Sequence, residues 1–318
     1  MKRLLWTIAV GVLPLACFYS IRAQTAPARP AWAFLTPDKE QPQVPEEKAP
    51  IRIPASSKSY TAAEIDNLSN PPDWFPEEHG ALPKVVQGGP GSTALACGAC
   101  HLMSGQGHPE SADLAGLPVE YLVRQMVDFR DGKRIDPARM NAIAKVTSDE
   151  DIRKAAEWGA ALKPVVWVKV MESSTVPKSY VSTKGRMRLP HPAGGTEPLG
   201  KRIIELPQDP ARATSRDPHS GFVAYVPPGS IAKGETLVKS GGSGKTIACT
   251  ICHGDDLKGL GDVPRIAGLH PVYIVRQLYG FQGKDYSGTS AALMRKVVAR
   301  LDEDDMIAIA AYAASLAP

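Results

Sequence analysis

The sequence is poor in cysteine and, beyond its first residues, has no long apolar run. Only five of its 318 residues are cysteine, and four of these lie in two short motifs. The remaining Cys17 cannot build a disulfide framework. The absence of further long apolar runs excludes a protein that crosses a membrane several times. Hydrophobic residues still make up 43% of the chain, so we expect a water-soluble protein of two ordinary domains or one large one.

The first 24 residues have the pattern of an export signal. Lys2 and Arg3 precede an uncharged run over residues 4–21. This run is borderline in length for a membrane span, so residues 1–24 are either an export signal or an N-terminal anchor. Removal of the segment, which also contains Arg22, would lower the formal net charge from +4 to +1. The charge of the whole chain is therefore a poor guide to its partners.

Two pentapeptides of the form Cys-x-x-Cys-His carry the chemistry. They occupy residues 97–101 and 249–253. Thiols three residues apart can lie on one face of a helical turn, where they can add to the two vinyl groups of one porphyrin. The histidine that follows can then bind the iron from the proximal side. The sequence therefore predicts two covalently attached c-type haems, held by Cys97, Cys100, His101, Cys249, Cys252 and His253.

Two other uses of paired cysteines explain these motifs less well. Four thiolates could form one structural zinc site, but such a site does not require a histidine directly after each second cysteine. A thioredoxin-like redox motif would lie between a strand and a helix, and no such pattern surrounds either pair.

The pentapeptides belong to a longer internal repeat. At an offset of 152 residues, the segment 121–129 aligns with 273–281, and both have the apolar spacing of a core-facing helix. Further on the offset becomes 154, and the acidic segments 148–151 and 302–305 begin a final helix in each half. Duplication of one helical unit is the simplest explanation.

Each haem also needs a second axial ligand. In small electron carriers this is commonly a methionine sulfur, which favours ferrous iron and raises the reduction potential. Met140 follows His101 by 39 residues, and Met294 follows His253 by 41. Because both methionines precede the final helix of their half, we predict iron ligation by His101 with Met140 and by His253 with Met294. Five other histidines have no counterpart and are expected at the surface or around the haem sites: His79, His108, His191, His219 and His270.

A backbone carbonyl commonly holds the second nitrogen of a haem-ligating imidazole. The carbonyl of Pro264, a short way past His253, can accept this hydrogen bond. Ala112 takes the register position of the proline in the first half, where the backbone is less constrained. We therefore expect two different haem environments and two unequal reduction potentials.

Two segments fall outside the repeat. Residues 25–78 are rich in proline without a sustained period, which is typical of an extended arm. Residues 164–228 contain ten prolines and two strand patterns, at 165–170 and 202–206, and predict a small β-containing insert. Nine basic against five acidic residues give this insert a charge of +4, which suits a solvated face or a docking surface.

These motifs resemble those of a tandem di-haem class I cytochrome c. The pentapeptides, the stretch from Pro264 to Gly268, the helices with Phe129 and Phe281, and the two methionines carry the resemblance. It implies an all-α fold with cytochrome c domains over residues 79–163 and 229–318, separated by the proline-rich insert. Ala112, the arm and the insert depart from the family pattern. The insert puts close packing of the two haem domains in doubt.

The resemblance also implies a function. We expect a periplasmic one-electron carrier without catalytic residues, which relays electrons from a donor dehydrogenase or quinol-oxidising complex to a terminal acceptor of a respiratory chain. Its partners are then redox proteins and not nucleic acids, and membrane association is expected only through the N-terminal segment. A di-haem enzyme of the peroxidase or thiosulfate dehydrogenase type would need an open or unusual axial position, and a cytochrome subunit of a dehydrogenase complex would differ only in its partner.

Overall fold

The computed structural model describes residues 29–43, 48–89, 95–136, 138–184, 186–283 and 285–318. The predicted export signal or anchor, residues 1–24, lies outside these ranges. Within them, the chain forms no helix that is both long and apolar enough to span a membrane.

Helix α1 (Ala62–Ile65) is a single turn in the arm. Five further helices form the first half around its pentapeptide: α2 (Lys84–Gln87), α3 (Gly98–His101), α4 (Val119–Arg130), α5 (Met140–Val146) and α6 (Asp149–Ala161). Ser148 caps α6 by accepting a hydrogen bond from the backbone N–H of Asp151. The predicted acidic first turn is present in this helix, where its carboxylates stabilise the positive end of the helix dipole.

Strands lie between the two halves of the repeat. They are β1 (Val168–Glu172), β2 (Thr175–Pro177), β3 (Ser179–Val181), β4 (Arg188–Pro190), β5 (Thr196–Pro198), β6 (Ile204–Pro207) and β7 (Phe222–Val226), and helix α7 (Pro210–Thr214) precedes β7. Strand β7 pairs in parallel with β1 and antiparallel with β6, while β2 with β5 and β3 with β4 form antiparallel pairs. The first strand begins at Val168 and not at Val165, because its partner strand begins at Phe222, which pairs with Val168.

Five helices form the second half, and two of them are longer than their counterparts in the first. They are α8 (Ser230–Ser240), α9 (Thr250–His253), α10 (Pro271–Gln282), α11 (Ala291–Val298) and α12 (Glu303–Ser315). Helix α8 crosses α12 at Gly234, where a Cβ atom would lie only 1.9 Å from the carbonyl oxygen of Ala308. In the first half the register position of α8 holds the single turn α2, from which Val85 and Val86 pack near Trp158 of the final helix.

The arm is anchored by large side chains. Trp32 donates a hydrogen bond of 2.8 Å to Glu303 Oε1 in the second half. Further along, Trp74 donates a hydrogen bond of 2.7 Å to the carbonyl oxygen of Ser215 in the insert. A small apolar cluster around Trp74 completes the contact, formed by Ile53, Ile65, Trp74 and Phe75. An arm without helical or strand periodicity is thus held by a few buried aromatic groups.

The two halves also contact each other directly, so the doubt that the insert raised about close packing was wrong. The insert touches both halves: Trp167 donates to the carbonyl oxygen of Gly107 in the first, and Glu205 pairs with His270 in the second. Arg265 of the second half nevertheless reaches Asp113 of the first. The insert lies beside the contact between the halves and does not separate them.

Candidate haem-binding sites

Each pentapeptide forms one helical turn, with its first cysteine immediately before the helix. In the first turn, the backbone N–H groups of Cys100 and His101 donate to the carbonyl oxygen of Cys97 at 3.2 and 2.9 Å. Cys252 and His253 make the same bonds, of the same lengths, to Cys249. The local sequence therefore produces the same arrangement of two thiols and an imidazole in both halves.

Each proximal imidazole donates a hydrogen bond to a backbone carbonyl 11 residues further along the chain. Nδ1 of His101 donates to the carbonyl oxygen of Ala112 at 2.7 Å, and Nδ1 of His253 donates to that of Pro264 at 2.8 Å. This tautomer leaves Nε2 of each ring as the nitrogen that can bind a metal. Burial lowers the pKa of both histidines, so the neutral, metal-binding form is favoured.

The first cysteine of each pentapeptide is largely shielded from water. Burial raises the pKa of Cys97 to about 12 and that of Cys249 to about 11, which keeps both thiols protonated at neutral pH. Within the described residues, no group of three or more histidine, cysteine or acidic side chains is arranged to hold a metal ion.

The two predicted methionine ligands occupy helices of different length. Met140 is the first residue of α5, and its backbone N–H donates to Asp136 Oδ2 at 2.7 Å. Met294 lies within α11 and packs against the main apolar core. Both side chains are half-buried.

A buried ion pair links the two histidine-holding loops. Asp113 and Arg265 directly follow Ala112 and Pro264, and their side chains pair at 2.9 Å with only 2% and 4% exposure. The two residues are 152 positions apart, so they are equivalent positions of the repeat. Asp113 also accepts a hydrogen bond from the backbone N–H of Ala115, and Arg265 donates to the carbonyl oxygen of the same residue.

A second pair of equivalent positions meets at the same contact. Arg134 and Tyr286, again 152 residues apart, form an isolated antiparallel bridge. Two equivalent arginines each contact the opposite half. Arg276 of the second half pairs with Glu110 of the first at 3.3 Å, and Arg124 of the first half donates to the carbonyl oxygen of Asp262 in the second at 3.5 Å. Equivalent residues that contact each other indicate a pseudo-two-fold axis between the halves.

No family model matches the sequence, but individual known proteins are similar to it over most of their length. Cytochrome c4 of Pseudomonas aeruginosa is 25% identical over 224 residues, which are 69% of this chain and 83% of the relative. A thiosulfate dehydrogenase electron acceptor of Thiomonas intermedia is 27% identical over 227 residues, which are 70% of this chain and 79% of the relative. Both matches are long enough to include the two pentapeptides.

A shorter relative matches along almost its whole length. Cytochrome c-554(548) of Halomonas halodenitrificans is 32% identical over 75 residues, which are 23% of this chain and 90% of that protein. The chain is a di-haem cytochrome c. It carries two covalently bound haem c groups. The predicted family and cofactors are confirmed, and paired thiols beside a neutral imidazole in each half fit this cofactor.

Solved structures of cytochromes resemble it more loosely. Cytochrome c4 of Acidithiobacillus ferrooxidans has a TM-score of 0.46 and 22% identity, covering 69% of this cytochrome and 98% of the other chain. The thiosulfate dehydrogenase TsdBA of Marichromatium purpuratum has a TM-score of 0.48 and 27% identity, covering 70% of this cytochrome but only 37% of that chain.

The surroundings of the two haem motifs differ in this cytochrome. Arg216 of the insert donates hydrogen bonds to the carbonyl oxygen of Ala99, inside the first motif, and to that of Ile65 in the arm. Ala99 is 1% exposed. In the second motif the equivalent residue is Ile251, which is 67% exposed, and Cys252 beside it is exposed as well. The arm and the insert thus cover the first motif and leave the second accessible.

Two of the unmatched histidines are buried, which leaves the surroundings of the haem sites as their expected place. His108 is 8% exposed and His270 only 1%. Nδ1 of His270 hydrogen-bonds to Oε1 of Glu205, a buried carboxylate of strand β6, at 2.5 Å. The insert supplied this partner, which no local pattern around His270 could indicate.

The sequence prediction also missed the residues at the contact between the halves. One signal was available for Asp113 and Arg265, because aligned positions of a repeat that carry opposite charges can pair across a two-fold axis. Arg134 had no such signal. Its aligned residue is Tyr286, and a lone arginine after a helix is usually solvated.

Proposed function

We propose that this cytochrome is a periplasmic one-electron carrier that relays electrons from a donor dehydrogenase or quinol-oxidising complex to a terminal acceptor of a respiratory chain. The direct contact between its two halves carries the proposal. Asp113 and Arg265 join the loops that hold the two proximal histidines. Two redox centres held at a fixed separation in one chain suit a relay.

We assign the two haem sites as follows. Cys97, Cys100, His101 and Met140 hold the first haem, and the carbonyl of Ala112 orients its histidine. The second haem is held by the corresponding set: Cys249, Cys252, His253, Met294 and the carbonyl of Pro264. The domains that contain them extend over residues 79–163 and 229–318.

When bound, each haem supplies reversible one-electron chemistry at its iron. The protein keeps the imidazole planes oriented through the two carbonyl hydrogen bonds, which also raise the basicity of the ligating nitrogens. Burial of His101 and His253 excludes water from the proximal side. With a methionine on the other side, neither site keeps a free position for a substrate, which favours electron transfer over an enzymatic reaction.

The accessible second motif is the proposed place of exchange with partner proteins. Ile251 and Cys252 are exposed there, whereas Arg216 and the arm cover the corresponding surface of the first motif. An apolar, exposed residue beside a haem attachment site suits a transient protein contact. Electrons that enter or leave at the second haem would reach the first through the contact between the halves.

A dehydrogenase that oxidises thiosulfate is a specific candidate for the donor. The relative from Thiomonas intermedia is named as the electron acceptor of such an enzyme and matches 70% of this chain. The cytochrome would then accept electrons from a separate catalytic protein and would not oxidise thiosulfate itself.

The test uses the exported holoprotein. Oxidised wild type is expected to show the weak sulfur-to-iron absorption band of two methionine-ligated haems and to take up two electrons in a redox titration. Met140→Leu and Met294→Leu should each remove about half of that band. Met103→Leu is the matched control, because this buried methionine lies next to the first motif but is not a proposed ligand. A high-spin spectrum, or turnover of peroxide or thiosulfate by the holoprotein alone, would contradict the proposal.

A further inference from the structure

Arg216 joins three parts of the chain at the first haem motif. It belongs to the insert, in the turn between α7 and β7. Its Nε donates a hydrogen bond of 2.9 Å to the carbonyl oxygen of Ile65 in the arm, and its Nη1 donates to that of Ala99. Ala99 stands between Cys97 and Cys100, the two cysteines of the motif. The guanidinium therefore lies against the backbone of the turn that carries both haem-binding thiols.

The backbone of Arg216 is held in an unusual conformation. Its φ of +61° lies in the left-handed region, which residues other than glycine rarely adopt. The carbonyl oxygen of Ser215, directly before it, accepts a hydrogen bond from the indole of Trp74. On the other side, the buried carboxylate of Asp217 accepts one from Arg212 at 2.6 Å. Strain of this kind persists only where surrounding contacts impose it, and it is frequent at functional positions.

The positive charge of Arg216 is not neutralised by a partner in the described part of the chain. Burial lowers the pKa of Arg216, but a guanidinium stays charged at physiological pH. Both hydrogen-bond acceptors are neutral backbone carbonyls. Asp66 attracts the guanidinium, but that carboxylate is 50% exposed and pairs with Lys184. Because water screens an exposed carboxylate, most of the field of Arg216 acts on the first motif.

The second motif differs at the corresponding place. Ile251 stands where the first motif has Ala99, and it is 67% exposed, whereas Ala99 is 1% exposed. Water at this surface reduces the effect of any charge on the second haem. The internal repeat provides both motifs, but only the insert provides Arg216. The effect of its charge is therefore expected at one haem and not at the other.

We propose that Arg216 raises the reduction potential of the first haem. Oxidation adds a positive charge to the iron, and a fixed cation in a poorly solvated site opposes this change. Burial and polar groups around a haem are among the means by which a protein sets its potential. The role rests on the covalently bound haem and does not depend on the proposed relay between partner proteins.

Removal of the charge should change one potential only. Arg216→Gln is expected to shift the equilibrium of the first haem towards the oxidised form by about tenfold, which lowers its potential by about 59 mV. Arg216→Lys keeps the charge, so its shift should be less than about threefold. The second haem should keep its wild-type potential in both variants.

The measurement is a redox titration of the purified holoprotein, followed by its visible spectrum. Arg202→Gln is the matched control, because it removes the same charge from the insert at a site where Arg202 pairs with Glu197. This control should leave both potentials unchanged. Wild-type potentials in Arg216→Gln, equal shifts of both haems, or a shift in Arg216→Lys as large as in Arg216→Gln would each overturn the proposal.

A second variant covers the case that Arg216→Gln does not fold. Asparagine tolerates the left-handed conformation, so Arg216→Asn removes the charge and relieves the backbone strain. It should show the same shift at one haem, and wild-type potentials in this folded variant would overturn the proposal. Pro264→Ala alters the second haem site, so in the double variant its shift and that of Arg216→Gln should fall on different steps. Both shifts on one step would contradict the assignment of Arg216 to the first haem.

Discussion

Asp113 and Arg265 occupy equivalent positions of the internal repeat and form a buried ion pair with each other at 2.9 Å. In a symmetric homodimer, residues at a two-fold axis face identical residues and cannot be opposite in charge. Fusion of two copies into one chain removes this restriction. The two halves of the cytochrome have therefore become complementary where they meet.

Asp113→Asn is expected to destabilise the holoprotein by about 3–5 kcal/mol, because it leaves the charge of Arg265 buried and uncompensated. Denaturant unfolding measures this change. Glu150→Gln is the control, since it breaks an exposed i,i+4 pair with Lys154 and should change the stability far less. Equal losses in the two variants would contradict the importance of burial at the Asp113 pair. Replacing both Asp113 and Arg265 by apolar residues should recover much of the loss.

The two haems are expected to titrate in two separate one-electron steps, because their proximal loops differ at Ala112 and Pro264. Pro264→Ala should raise only one of the two potentials, by less than about 59 mV, since a less constrained carbonyl holds the imidazole more weakly and makes it a poorer donor to oxidised iron. A redox titration of both proteins checks this. Two indistinguishable steps in wild type, or a shift of both potentials in the variant, would be inconsistent with the prediction.

The stability of the second half should decrease in acid through Asp305. Desolvation opposes ionisation of this carboxyl, but hydrogen bonds from Lys233 and Lys245 prevail and lower its pKa to about 2. A lowered pKa in the folded state stabilises the protein above the unfolded value of about 4, and this contribution is lost as the pH falls towards 2. Asp305→Asn should therefore cost about 2 kcal/mol at pH 7 and much less at pH 2.

Unfolding of wild type and variant at both pH values tests the role of Asp305. Asp304→Asn provides the control, because Asp304 forms an exposed pair with Lys201 on the same helix. Its effect on stability should be small at either pH. A pH-independent difference between Asp305→Asn and wild type would assign the loss to helix capping by Asp305 and not to its charge.

Ile251→Asp is expected to slow electron exchange with a partner protein at least severalfold, because it places a charge on the exposed rim of the second haem motif. The second-order rate constant of oxidation by a purified redox partner measures this effect. Val166→Asp makes the same change at a residue of the insert that is 72% exposed and should leave the rate constant unchanged. Equal rates in all three proteins would exclude the second motif as the place of exchange.

Several elements could be predicted because their signals are local. The helices with Phe129 and Phe281 and the acidic starts of the final helices follow from spacing within a dozen residues. The single turn α2, by contrast, stands where the second half has three turns, and the position of β1 depends on where its partner β7 begins. The ends of these elements are set by contacts with neighbouring elements and not by the intrinsic helix or strand propensity of their residues.

The haem-attachment prediction needed only local sequence, because each pentapeptide spans five consecutive residues and one helical turn brings its groups together. Which residues meet between the halves, in contrast, became known only from the folded chain. Arg134 reaches Gln277 across 143 positions, and Asp113 reaches Arg265 across 152. Contacts of this kind depend on how two folded surfaces dock, and no local pattern in either segment encodes that arrangement.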